Sequence, residues 1–395
     1  MTLAAQPKLS TLARTPKSSA ISDLLALAGR PEVISFAGGL PSPAGFPVDA
    51  VNDACQWVMR NQATRALQYS QGEGVPELRE VLAERETSLG NPTTPDQVQI
   101  VTGSQQALDL IGRLFLDKGT KMLVESPTYL GALSAFNQYF PKYAEIPVDE
   151  QGMNPDKFGA DCDSATVAYV MPTFANPTGL TIDAGRRQKL ADIARAKDFW
   201  LVEDNPYGEL WYDKKPALPV RTFAPERTIY LGTLSKILSP GLRLGYIIAD
   251  AEIIKAFTSF KQAVDLHTST FTQLVAARVI SSGVLVDHLP KVRDLYKVQC
   301  NAMLEALDEY MPKDVGINWT RPTGGMFIWL TLPKSIDSSE LMRRTIQKNV
   351  AFVPSVAFYA NEAQVSHARL SFVTVPVEKI REGIKIMAET IKTML

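Results

Sequence analysis

The sequence predicts an α/β protein, a mainly parallel β-sheet flanked by helices and followed by a smaller α+β domain. Three observations lead there. Short β-rich apolar runs alternate with longer stretches of helical period from about Val98 to Ala249. The runs are continuously apolar rather than alternating, as in strands covered on both faces. After about Leu289 the texture changes to a long helix and mixed short elements, which marks a second layer of packing.

In order, the expected strands are VQIVT (Val98 to Thr102), KMLVE (Lys121 to Glu125), TVAYVM (Thr166 to Met171), WLVED (Trp200 to Asp204), TIYLG (Thr228 to Gly232) and LGYIIA (Leu244 to Ala249). Between them, SQQALDLIGRLFLDKG sets Ala107, Leu110, Leu114 and Phe115 on one helical side, with Gly119 as the stop signal. The C-terminal part reads as a helix from Lys291 to Tyr310, a GGMFIWLTLP strand, a second helix, the runs FVPSVAF and ARLSF, and a final helix. The expected division is an N-terminal arm and segment associated with the small domain (1–45), a large α/β domain (46–288) and a small C-terminal α+β domain (289–395).

A chain of 395 residues that is 45% apolar can bury a substantial core. Its 41 basic and 42 acidic residues nearly cancel, so no overall field gathers nucleic acid or a membrane surface, and any bound anion must be held locally. Cys55, Cys162 and Cys300 lack disulfide or zinc spacing, and His267, His288 and His367 share no ligand pattern. The histidines read as structural or surface residues, and no metal is expected. The N-terminus lacks a continuous apolar signal region, and no stretch approaches the ~20 apolar residues of a membrane span. The expected setting is the cytoplasm, with roughly the first nineteen residues forming an arm.

Ligands of open α/β sheets bind at the carboxyl ends of strands. There TVAYVM runs into PTFANPTG, WLVED into NPYG, and TIYLG into TLSKILSPGLR, so Asn176, Asp204, Tyr207, Ser235, Lys236 and Arg243 should share one face. A lysine behind a buried strand is desolvated, which lowers its pKa and makes the neutral amine a nucleophile able to form a Schiff base. Asp204 is either a helix N-cap or the partner of a buried cation such as a protonated pyridine nitrogen. Thr233, Ser235 and Arg243 combine hydroxyl donors with a planar fork suited to phosphate. The Gly103 to Gln106 junction adds the N–H groups of a helix start. Asn176 is a turn residue or, with Tyr207, a donor to a phenolate oxygen. Arg369, in a β-like run, wants a bidentate acceptor such as a substrate carboxylate. Gly39, beside Gly38, marks a turn whose amide can face substrate, and Tyr129 is a core residue or stacks on a planar ring.

The ordered motifs ISFAGGLP, LQYSQGEGVPELRE, TGSQQALDL, SPTYLGAL, PTFANPTG, VEDNPYGEL, LGTLSKILSPGLRLGY, VDLHTS, RPTGGMFIWL, NVAFVPSVAF and ARLSF cover nearly the whole chain. Together they resemble the fold type I pyridoxal-phosphate aminotransferases of class I/II, in the branch holding 2-aminoadipate, kynurenine and aromatic aminotransferases. The resemblance implies a seven-stranded sheet and pyridoxal 5′-phosphate as cofactor, carried on Lys236, which later moves the substrate Cα proton. It implies that Asp204 pairs with the pyridinium nitrogen, that Asn176 and Tyr207 hold the ring oxygen and that Tyr129 stacks on the ring. Ser104, Gln105, Thr233, Ser235 and Arg243 would surround the phosphate, joined by Tyr69 of a neighbouring subunit in a homodimer. Arg369, with Asn176 and the backbone near Gly39, would clamp the α-carboxylate.

One position departs from the pattern. Where some aminoadipate-type members carry an arginine for a distal carboxylate, this chain has Ser22, and a lost charge-assisted partner is worth roughly 1.5 to 3 kcal/mol. The resemblance therefore points to a broad enzyme for aromatic and large aliphatic L-amino acids, with 2-oxoglutarate as acceptor and Arg30 as a substitute cation. The alternatives are 2-aminoadipate transamination, another reaction at Cα such as racemisation or elimination, and a non-catalytic effector-sensing module. Against the last stand the early onset of the sheet motifs and the balanced charge.

Overall fold

The structure is a computed structural model that describes residue 8, residue 10 and residues 29–395. Its centre is an eight-stranded sheet in the order Val98–Val101, Gly245–Ile248, Thr228–Thr233, Trp200–Asp204, Val167–Val170, Lys121–Ser126, Lys142–Asp149 and Gly152–Met153. Pairing is parallel from Thr228–Thr233 through to Lys142–Asp149. Gly245–Ile248 runs antiparallel to both its neighbours, and Gly152–Met153 antiparallel to Lys142–Asp149.

Each apolar run is a strand to within one residue at either end. Val98–Val101, Val167–Val170, Thr228–Thr233 and Gly245–Ile248 are buried throughout, the condition under which a strand needs no polar face. The seven-strand expectation is corrected to eight by the two-residue Gly152–Met153. Lys142–Asp149 escapes an apolar-run search because it is mostly half-exposed and holds Pro147, a residue confined to sheet margins. The helix Ser104–Phe115 buries Ala107, Leu108, Leu110 and Ile111 and stops before Gly119, whose φ of 87° belongs to the turn into Lys121–Ser126.

The C-terminal unit is a four-stranded antiparallel sheet in the order Asn318–Trp319, Phe327–Thr331, His367–Ser371 and Val353–Pro354. The helices Val284–Tyr310 and Val377–Lys392 pack together beside it. Ile34–Ser35 pairs in parallel with Val350–Ala351, tying the N-terminal segment to this unit. The helix expected from Lys291 begins at Val284, passes through Pro290 and crosses the 288/289 junction. The hydrogen bond that Pro290 cannot make belongs to the carbonyl of Val286, a residue 70% exposed, where water can serve instead. A continuous buried core runs from Ile111 and Val202 through Tyr207 and Phe327 to Leu370 and Ile384. That core docks the C-terminal sheet onto the large one and carries Arg369 to the strand ends. Among the described residues no helix is long and apolar enough to cross a membrane, and no His/Cys/Asp/Glu group could hold a metal ion.

Candidate active site

A cleft of about 440 Å³ opens at the carboxyl ends of Trp200–Asp204 and Thr228–Thr233, between the two sheets. Lys236 follows the second strand by three residues, and its Nζ donates to the carbonyl of Gly39 at 2.7 Å. Burial, reinforced by the charges of Arg369 and Arg243, pushes its amine down to about 8. A sizeable neutral fraction is then present near pH 7.5.

The Ser239 hydroxyl accepts from the Gly241 N–H, capping the short turn Pro240–Leu242, and Arg243 follows with a φ of 54°. This turn returns the Arg243 guanidinium to the cleft, against Gly103. Gly103 has a φ of 78°, and a Cβ there would lie 2.5 Å from Nη2 of Arg243, so both the backbone and the close approach require glycine. The next residue, Ser104, starts a helix with no side-chain cap, which leaves its first N–H groups suited to an anion. Gln105 is steadied by a bond from Nε2 to the carbonyl of Gly131 at 3.2 Å. The Thr233 hydroxyl accepts from the Ser235 N–H at 3.2 Å and donates to the carbonyl of Leu244 at 3.4 Å. Ser104, Gln105, Thr233, Ser235 and Arg243 all line the cleft.

At the other end Asp204 closes its strand rather than capping a helix. It is buried, and its Oδ2 accepts from the hydroxyl of Tyr169 at 2.7 Å. Burial pushes the carboxyl up to about 6, against the opposing pull of that hydrogen bond. Tyr129 lines the cleft from the turn before the helix Leu130–Phe136, its ring lying over Gly131, where a Cβ would come within 2.4 Å of it. Burial raises the hydroxyls of Tyr129 and Tyr207 above the usual phenol range, so both remain protonated donors.

Arg369 is 4% exposed. Its Nη1 donates to Oδ1 of Asn176 at 2.9 Å and its Nη2 to the carbonyl of Ala37 at 2.6 Å, while Nε is buried without a partner. The guanidinium lies 4.4 Å from the ring centre of Phe327 and 5.2 Å from that of Phe358. Burial pushes it down to about 10, still cationic at neutral pH.

The described candidate site residues therefore meet in one cleft, Gly39, Asn176 and Tyr207 included, except Tyr69 and the substitute cation Arg30. Tyr69 stands 77% exposed, edge-on to His267 at 5.7 Å, outside the lining. Ser22 lies outside the described residues, and Arg30 is exposed and not part of the lining. Sequence reasoning missed the apolar wall of Leu40, Leu130 and Val353, the rings around Arg369, and Tyr169. A tyrosine inside an otherwise apolar buried strand was a usable signal, because its hydroxyl needs a partner.

These residues fit pyridoxal phosphate. A glycine-floored cradle of donors suits a dianion, a dry carboxylate with one uncommitted oxygen suits a cationic ring nitrogen, and a depressed amine lies between them.

Residues 31–386 match the family model described as aminotransferase class I and II. The chain is 45% identical over 385 residues to the aromatic-amino-acid aminotransferase 1 of Thermococcus litoralis, covering 95% of this chain and 92% of that protein. It is 38% identical to the 2-aminoadipate transaminase of Thermus thermophilus, covering 96% and 95%. The crystal structure of Pyrococcus horikoshii kynurenine aminotransferase superposes with a TM-score of 0.94 at 44% identity, covering 98% of both chains. With likeness of this depth over its whole length, and with a cleft that meets the cofactor's demands, the chain belongs to the class I and II aminotransferases, enzymes that work with pyridoxal phosphate.

Proposed function

We propose that this transaminase takes the amino group from L-amino acids with aromatic or large aliphatic side chains. It passes that group to a 2-oxo acid, with 2-oxoglutarate as the expected acceptor, both substrates using one site in turn. The observation that carries the reading is the cleft wall. Leu40, Leu130 and Val353 present apolar surface, and the cations among the described lining residues are Lys236, Arg243 and Arg369. The first two are assigned to the cofactor and the third to the α-carboxylate, so an acidic side chain finds no further positive partner there. The names of the Thermococcus and Pyrococcus relatives point the same way. A second reading, 2-aminoadipate transamination, draws support from the Thermus relative.

Bound pyridoxal phosphate supplies an electron sink for the charge left when a Cα proton departs. In the proposed division of labour, Arg243, Ser104, Gln105, Thr233 and Ser235 hold the phosphate. Asp204, ionised at neutral pH, faces the ring nitrogen, Asn176 and Tyr207 donate toward the ring oxygen, and Tyr129 covers a ring face. Arg369 turns its fork to the substrate α-carboxylate, which replaces the carbonyl of Ala37 as acceptor and gives Nε a partner. The neutral amine of Lys236 accepts the Cα proton and, once charged, returns it elsewhere on the same framework.

The proposed organisation is a homodimer in the cytoplasm, with Tyr69 of each chain completing the phosphate site of the other. Its units are a large domain over 46–288, a small domain over 289–395, and the segment 1–45 attached to the small domain. The decisive experiment is a donor panel of kynurenine, phenylalanine, leucine and 2-aminoadipate against 2-oxoglutarate. The apolar donors should exceed 2-aminoadipate in kcat/KM by about tenfold or more, the worth of one charge-assisted bond. The reverse order would replace the first reading by the second. A new amino acid formed in step with a 2-oxo acid separates transfer from racemisation or elimination.

A further inference from the structure

Tyr169 lies behind the cleft wall, outside its lining, and its hydroxyl bonds to Asp204. It pairs with Val202 across the parallel strands, and side chains alternate along a strand, so Tyr169, Val202 and Asp204 project from the same face. Its hydroxyl reaches one step along that face to Oδ2 of Asp204 at 2.7 Å. Tyr169 is 0% exposed, and its ring is held edge-on against Phe136 at 5.7 Å.

We propose that Tyr169 is a positioning residue that keeps the Asp204 carboxylate ionised in a dry site and directs its other oxygen to the cofactor nitrogen. The inference rests on the proposed role of Asp204. A buried carboxylate is driven toward its neutral form unless a cation or a donor stabilises the charge. Among the described residues Asp204 has no ion pair, and Tyr169 supplies its one side-chain hydrogen bond.

The other titratable groups near Asp204 do not substitute. Tyr129 and Tyr207 approach from the turns before Leu130 and after Asp204, and Lys236 and Arg369 face the same cleft. On the opposite face of the sheet Glu125 accepts the N–H of Met171 at 3.0 Å. Burial first, and the charge of Asp204 after it, push Glu125 up to about 7. Asp204, pushed only to about 6, gives up its proton before Glu125 does, so the first negative charge of the pair falls on Asp204. The Tyr169 hydroxyl, raised far above neutral pH, donates its hydrogen bond without surrendering its proton.

The test is the dissociation constant of pyridoxal phosphate from the apo-protein, measured from about pH 5.5 to 8.5, around the carboxyl titration. It is run on the unsubstituted protein, Tyr169→Phe, Asp204→Asn and the double variant, with thermal unfolding alongside. Phe keeps the ring and its contact with Phe136, so the fold should be retained. Tyr169→Phe should weaken binding about tenfold at neutral pH, the usual worth of a hydrogen bond to a charge. It should also move the acid limb up by about one pH unit, because losing the donor raises the Asp204 pKa further. The double variant should bind no more weakly than Asp204→Asn alone. Unchanged affinity and acid limb in Tyr169→Phe, with Asp204→Asn weakened, would overturn the proposal. So would losses that add in the double variant. If Asp204→Asn itself binds normally at every pH, the reading of Asp204 falls and this inference with it.

Discussion

Lys236 and Arg369 show how burial prepares a side chain. Desolvation, helped by two neighbouring guanidiniums, brings the Lys236 amine down to about 8. The protonated form is no nucleophile, so capture of the pyridoxal phosphate aldehyde by apo-protein should plateau above about pH 8 and slow about tenfold per unit below it. Stopped-flow absorbance checks the slope, and a rate that keeps rising about tenfold per unit to about pH 10 would show that the amine is not depressed. Lys236→Ala should reduce amino transfer by at least about a thousandfold, the order expected on losing both nucleophile and proton carrier. Arg369 is held between the rings of Phe327 and Phe358, with Nη1 and Nη2 already directed and Nε in reserve. Arg369→Lys keeps the charge but loses the fork. It should raise KM for amino and oxo acids about 10- to 100-fold with a smaller change in kcat, which steady-state kinetics with both substrates will measure.

Two strand-to-turn connections carry most of the proposed phosphate site, and both depend on positive φ. Gly103 closes the strand Val98–Val101 into the helix Ser104–Phe115, and Arg243 ends the Pro240–Leu242 turn. Gly103→Ala would face both a φ of 78° and a contact at 2.5 Å with Arg243 Nη2. The guanidinium must shift, so pyridoxal phosphate should bind at least about tenfold more weakly, with about 1 kcal/mol of stability lost to backbone strain. Equilibrium dialysis and denaturant unfolding separate the two effects. Normal affinity in the variant would show that Arg243 can hold the phosphate from elsewhere.

The whole molecule places Arg369, on the C-terminal sheet, over strand ends of the large sheet, and leaves Leu67, Tyr69 and Leu266 exposed at 74%, 77% and 49%. If Tyr69 serves a partner, co-expressing Tyr69→Ala and Lys236→Ala chains should restore transfer. The hybrid then holds one site with an intact Lys236 and the other chain's Tyr69, and hybrids should reach about half the activity of the unsubstituted dimer. No recovery in hybrids that sedimentation shows to be dimeric would show that Tyr69 does not serve the partner's site. The α/β class, the six buried strands and most of the cleft were legible because they are local properties of the chain. An apolar run reports burial on both faces, and the residue after it sits at the strand end where ligands bind. Even Arg369 could be found this way, as an arginine in a run too apolar for solvent. The strand Lys142–Asp149 was not legible, since at the sheet margin its pattern is that of a half-exposed segment. Neither was the contact of Tyr169 with Asp204, which depends on the register between two strands, nor the aromatic seat of Arg369, which depends on how two sheets dock. Register and docking are settled by packing between segments far apart in the chain, and a pattern read along the chain holds no record of them.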